Sequence, residues 1–324
     1  MLNNSSKPTM NSGKDKVAGD DDQKQIPANR CKGRFCARQE FWVVCFSFAL
    51  SLPFLWFGLP AQGQERDSEL PVVGATCEDS LAAGWIQKNL AEVPILSGEF
   101  EGRVEVEAPM VLDGVMVSEA RYALSVRDQK LPFDPRAALL NVHVSDLRSK
   151  TKFGGGIKTH KASPNMELFL VNVTIDPNWP HWISYANTNY DGLVLDGAEA
   201  IYAQNLTIMN WNADAAIDNK ARMSQLVDLT ISGPGYRPIR YWRPGPHYLV
   251  NASIRREGEG ILFWFKECEG TTVFVHNSVF NGEPQVPNDM IDCEQGSSPN
   301  IVYLPEDPRI KGEMHPMFQV CAKE

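Results

Sequence analysis

Between Thr76 and Pro94 the apolar positions keep a helical interval, and beyond Pro94 the interval shortens to two. Thr76 and Asp79 have the spacing of a capping box, Leu81, Trp85, Ile86 and Leu90 recur at helical intervals, and Pro94 closes the segment. Val104, Val106, Val111, Val115 and Val117 then fall in short alternating runs broken by Gly102 and Gly114, the pattern of short strands. Upstream, a continuous apolar run extends from Phe41 to Pro60, long enough to cross a bilayer as a helix.

The alternating region repeats. Asn141-Val-His-Val, Asn172-Val-Thr-Ile, Asn205-Leu-Thr-Ile, Asp228-Leu-Thr-Ile, Asn251-Ala-Ser-Ile and Asn277-Ser-Val-Phe share one pattern, an Asn or Asp followed by alternating apolar and small polar residues. The intervals of 31, 33, 23, 23 and 26 residues signal a solenoid. Its elements are short strands rather than helix pairs, so the expected fold is all-β, a parallel β-helix. A second strand type precedes each Asn strand: Gly156-Ile157-Lys158, Gly192-Leu193-Val194-Leu195, Ala216-Ile217-Asp218, Pro238-Ile239-Arg240 and Gly260-Ile261-Leu262. Ile157, Leu193, Ile217, Ile239 and Ile261 are expected to stack inside, coil upon coil, at the strand spacing of about 4.8 Å.

On these repeats, over roughly residues 100–285, the chain resembles the right-handed parallel β-helix of the pectin-lyase-like superfamily. The resemblance implies a right-handed parallel β-helix solenoid with a short N-terminal α-helical cap. The predicted organisation is 1–40 a disordered tail or long n-region, 41–63 a signal peptide or membrane anchor, and 64–100 linker and helical cap. Residues 101–285 are the β-helix and 286–324 an irregular C-terminal segment. Asn172, Asn205 and Asn251 sit in glycosylation sequons, but all three occupy one repeat position, which points instead to an asparagine ladder between coils.

Stacking turns equivalent positions into columns. One residue after the inward position come Lys158, Val194, Asp218, Arg240 and Leu262, and three after it His160, Asp196, Lys220, Trp242 and Trp264. Two before it come Gly155, Asp191, Ala215, Arg237 and Glu259. A charged face is what any solvated sheet shows, but two Trp in adjacent coils suggest a sugar-stacking platform or an interface. The insertion Asp176-Pro-Asn-Trp-Pro-His-Trp brings Trp179, His181 and Trp182 to the same region, either as a binding loop or as a cover on the core.

Two chemistries suit such a face. Glycoside hydrolysis needs one carboxylic acid and one carboxylate. The segments Asn187-Thr188-Asn189-Tyr190-Asp191-Gly192 and Asp214-Ala215-Ala216-Ile217 resemble two polygalacturonase motifs, and Arg309-Ile310-Lys311 matches a third. Ala215 replaces one expected aspartate, and Arg237 stands where a histidine is expected. β-Elimination on an acidic sugar needs cations and a base, for which Arg237, Arg240, Lys220 and Lys158 qualify. The candidate catalytic set is Asp191, Asp214, Asp218 and Arg240. Lys158, His160, Asp196, Lys220, Arg237, Trp242, Trp264 and Trp182 are the candidate substrate contacts. No dedicated cofactor is expected, with calcium a candidate through Asp191, Asp196, Asp214 and Asp218. Turn capping and pairing with Lys and Arg is the plainer role for these acids.

Charge and cysteines divide the chain. Residues 1–63 hold eight Lys/Arg and five Asp/Glu, so +3, which leaves −12 of the net −9 to the rest. That acidic balance argues against general nucleic-acid binding. Lys32, Arg34 and Arg38 precede the apolar run, and the positive-inside bias places the 1–40 tail in the cytoplasm and the bulk of the chain on the outer side. Ala61-Gln62-Gly63 offers a cleavage site, so release and anchoring through residues 41–60 both stay open. Four of the seven cysteines, Cys77, Cys268, Cys293 and Cys321, follow the run and allow two disulfides in three connectivities. The expectation is an exported, cell-envelope or extracellular protein that binds or cleaves a polysaccharide. The rival is a non-enzymatic scaffold on the same fold.

Overall fold

The computed structural model describes residues 76–128, 135–180 and 188–321. The N-terminal tail, the apolar run, His181, Trp182 and Asn187 lie outside them. The described chain is all-β apart from the helix Cys77–Asn89 and one short 3-10 turn, Asn288–Met290. Its strands pair in parallel into two long sheets, as a β-helix requires.

The first, here the flank sheet, runs through Ile95–Glu101, Met110–Ser118, Arg136–Leu140, Met166–Asp176, Ala198–Ile208, Met223–Val227, His247–Val250, Thr272–His276 and Asn300–Tyr303. The second, the site sheet, runs through Val104–Ala108, Tyr122–Asp128, Phe153–Thr159, Asn189–Leu195, Ala215–Asn219, Arg237–Tyr241, Phe263–Phe265 and Ile291–Cys293. Parallel pairing therefore begins at Ile95 and continues to Tyr303, beyond both ends of the 101–285 span read from the repeat.

The inward stack is Leu124, Ile157, Leu193, Ile217, Ile239 and Phe263. Four of the five expected positions are in place. The fifth is Phe263, not Ile261, because the loop Glu257-Gly258-Glu259-Gly260 lengthens that coil by two residues. Gly258 and Gly260 adopt φ of 76° and 137°, conformations only glycine takes without strain.

The asparagine ladder forms at the turn after each flank strand. Asn141, Asn172, Asn205, Asp228, Asn251 and Asn277 all have φ between 45° and 56°, the left-handed region that Asn and Asp tolerate best among non-glycine residues. Each amide nitrogen donates to the preceding coil: Asn141 to Asp113 (2.9 Å), Asn172 to Asn141 (3.2 Å) and Asn205 to Asn172 (2.9 Å). Asn251 donates to Asp228 (2.9 Å) and Asn277 to Asn251 (2.8 Å). An aspartate has no N–H to pass on, so Asp113 and Asp228 each start a fresh run. Asp228 instead accepts from Gln204.

The helix begins at a capping box, Thr76 Oγ1 accepting from Asp79 N and Asp79 Oδ2 accepting from Thr76 N. It lies on the outer surface of the flank sheet, where Ala82, Ile86 and Leu90 join Ala138, Phe169, Val171, Tyr202, Val227 and Val250 in a second core. The C-terminal tail completes it with Met314, Met317 and Phe318. Cys77–Cys321 ties helix to tail, and Cys268–Cys293 links the last two coils of the site sheet. The Arg309-Ile310-Lys311 string belongs to this tail. Arg309 forks onto Asp307 (2.8 Å) and acts on Asp228 at the asparagine turn, not on the site sheet.

Candidate functional site

The outer surface of the site sheet carries the columns read from the sequence, with one shift. Lys158, Val194, Asp218, Arg240, Trp264 and Asp292 stand in register. Beside them, Lys220, Trp242, Lys266 and Glu294 follow one another, set by the bonds Trp242 N to Asn219 O, Lys266 N to Tyr241 O and Glu294 N to Phe265 O. Trp264 thus occupies the column expected for Leu262, and Lys266 takes the place expected for Trp264. Ile261 takes the turn position expected for Glu259, since Phe263 is the inward residue of that coil.

Charges of alternating sign link four coils. Arg240 Nη1 donates to Asp214 Oδ2 at 2.6 Å, and its Nε lies 3.4 Å from Asp218 Oδ1. Asp218 Oδ1 accepts from Trp242 Nε1 at 2.6 Å, and its Oδ2 lies 2.8 Å from Lys220 Nζ. Lys220 also donates to Asp196, whose other oxygen faces Lys158 Nζ at 3.5 Å. At the turn, Asp191 Oδ1 accepts from Ala215 N at 3.0 Å, and the Asn189 amide spans Asp191 and Asp214 at 3.2 Å each. Asn189 belongs to the 187–192 motif but not to the candidate set; its place two residues before Asp191 on the same strand is the signal that identifies it.

The four catalytic candidates are therefore together, but beneath the surface: Asp191, Asp214, Asp218 and Arg240 are 3%, 0%, 2% and 2% exposed. Burial, then the carboxylates of Asp218 and Asp214, push Asp191 well above the usual carboxylate range. Burial also raises Asp214, against the pull of Arg240 and Arg237. Burial alone would raise Asp196 too, yet Lys220, Lys158 and Lys161 outweigh it and hold the acid low. Lys220 is raised, because Asp218 and Asp196 outweigh the cost of its own burial. The places a calcium ion would fill between these acids hold the Lys220 ammonium and the Arg240 guanidinium. Among the described residues no group of three or more His, Cys, Asp or Glu is placed to hold a metal ion.

Over this network opens a cleft of about 390 Å³ lined by Arg237, Arg240, Trp242, Trp264, Asp292 and Glu294. The two indoles meet edge to face with centroids 5.1 Å apart. Arg240 stacks within 5.3 Å of both, and Arg237 lies over Tyr236 (4.5 Å) and Trp264 (5.5 Å). Asp292 and Glu294 were missed because no Asn strand of the repeat follows them to announce another coil. His160 is exposed at the far turn, its ring accepting from Ala162 N at 3.3 Å. Trp182 lies outside the described residues. Its loop neighbour Trp179 is buried, stacked on Tyr190 at 4.4 Å and tied by its backbone to Asn212, so this part of the insertion covers the core.

The chain matches no protein-family model, no curated protein and no solved structure. Among the described residues no helix is long and apolar enough to cross a membrane.

Proposed function

We propose that this is an exported glycan-binding protein, a right-handed parallel β-helix of the pectin-lyase-like kind. Its site sheet would engage a polysaccharide of the cell envelope or extracellular space. The observation that carries this reading is the cleft itself: the half-buried Trp242 indole, backed by the buried Trp264, with the exposed carboxylates of Asp292 and Glu294 on a sheet face that no described helix or strand crosses. Aromatic rings offer flat apolar surface for a sugar ring, and the charged groups offer planar hydrogen-bonding partners for its hydroxyls. Right-handedness is supported by the strong preference of parallel crossovers for that hand. Two disulfides and the apolar run upstream support export.

Binding is favoured over cleavage because the buried acids are already engaged by protein groups. Cleavage is the second reading, favoured by one observation: Asp191 and Asp214 are raised as a general acid must be. A glycan array probed with the full-length protein, run beside reducing-end and unsaturated-uronate assays, tests both. Retention of one glycan class without product supports binding. Product formation that Asp214→Asn abolishes supports cleavage. Silence in every assay leaves the scaffold and contradicts both.

A further inference from the structure

Each cation around the cleft has an acidic partner. Arg240 is held by Asp214 and Asp218. Lys266 is held by Glu294, and Arg237 Nη2 stands 3.7 Å from Asp292 Oδ2. The last pair differs from the others. At 3.7 Å it is too long for a hydrogen bond, and Arg237 Nε is enclosed with no acceptor. Asp292 keeps 42% of its side-chain surface exposed, whereas Arg237 keeps 16%. The cleft thus presents one donor fork and one acceptor carboxylate side by side, next to the Trp242 indole.

We propose that the cleft is a subsite for a neutral sugar ring, whose hydroxyls bridge Arg237 and Asp292 while a face of the ring lies against Trp242, the less buried of the two indoles. This rests on the glycan-binding reading and narrows it. A hydroxyl is the group that satisfies both partners, accepting from the guanidinium and donating to the carboxylate. A uronate or sulfate bound to Arg237 would instead sit beside the Asp292 carboxylate, with Glu294 close on the next column, and like charges at that separation repel. Asp292 therefore acts as the specificity residue, discriminating against acidic substituents.

The test uses full-length protein and titration calorimetry with defined oligosaccharides: neutral gluco-, manno-, xylo- and galacto-series, oligogalacturonate, and a sulfated galactan fragment. The expected result is binding of one neutral series with an affinity flat from low to high salt. Asp292→Ala then weakens it about tenfold or more, the effect of one lost hydrogen bond to a charged group. Asp292→Asn keeps an acceptor without the charge, so it retains most neutral affinity and gains affinity for oligogalacturonate. Binding confined to acidic oligosaccharides, weakening with salt and unaffected by Asp292→Asn, would overturn the neutral subsite and leave glycan binding standing. No binding to any member, with the variants folded by circular dichroism, would overturn both.

Discussion

The solenoid has two outer faces built on the same coils, and they solve the problem of burial differently. On the flank sheet the outward residues are apolar, among them Phe169, Tyr202, Val227 and Val250, and the helix and tail lie over them. His315 from the tail packs against Tyr202 (4.2 Å), Trp85 (4.7 Å) and Phe169 (5.4 Å). On the site sheet the outward residues are ionic and aromatic, and among the described elements no helix or strand lies across them. Their heads screen one another: Arg240 is buried by its own neighbours Asp214, Asp218, Trp242 and Trp264. A face that only needed closing would have been closed with apolar residues, as the flank was. A face that no described helix or strand crosses, beside a cleft, fits the proposed role in binding.

The largest effects should come from breaking each face by its own logic. Arg240→Ala leaves Asp214 buried without its hydrogen-bonded cation, and Asp218 with Lys220 alone, and should cost about 3–5 kcal/mol of unfolding free energy. Phe169→Ala should cost about as much, roughly 3–5 kcal/mol, through a cavity instead. Urea unfolding separates them. Adding Asp214→Asn to Arg240→Ala should recover part of the loss, while no charge change rescues Phe169→Ala. An unchanged midpoint in Arg240→Ala would show that the network contributes nothing to the fold.

The pH dependence sharpens the contrast next. His247 at the start of a flank strand is enclosed, with Nε2 to Arg243 O at 2.9 Å and Nδ1 to Ser224 Oγ at 2.8 Å. Burial holds its pKa down to about 4, and burial with Arg136 does the same for His315. A histidine lowered in the fold binds protons more readily when unfolded. Its contribution is complete above the unfolded value of about 6.5 and is lost as pH falls toward 4. For His247 that loss is about 3 kcal/mol. Asp191 and Asp214, raised in the fold, act with the opposite sign: they favour the fold in acid and lose that contribution as pH rises through the raised values. Chemical unfolding from pH 7 to pH 4 should show a falling stability that His247→Gln flattens. A slope unaltered in that variant would contradict the assignment. The smallest effect belongs to Lys158→Met, which removes a long pair to Asp196 at 3.5 Å while Lys220 still holds that acid, and should cost about 0.5 kcal/mol.

The comparison also explains what the sequence could reveal. The asparagine turns were legible because each needs a residue that tolerates positive φ and donates along the axis, so the same letter recurs. The stack from Ile157 to Ile239 was legible because each coil sets a large aliphatic residue directly after Gly156, Gly192, Ala216 or Pro238, whatever the length of loop before it. The shift at Phe263 was not, since two extra loop residues leave an apolar Ile261 at the expected position. Asp214 and Asp218 could be placed on one face, but not known to be buried, because burial there comes from Trp242 and Arg240 in later coils. The disulfide pairs were also hidden, since Cys77 and Cys321 meet only when the tail crosses the flank sheet.

We propose that the site sheet, crossed by no described helix or strand, is a binding face. The most direct test is a glycan array with full-length wild-type protein and the Trp242→Ala and Arg237→Ala variants, each first shown to be folded. The account predicts selective retention of one glycan class by wild type and loss of about tenfold or more in both variants, while Phe153→Ala, outside the cleft, binds normally. Equal retention by all four proteins, or by none, would contradict it.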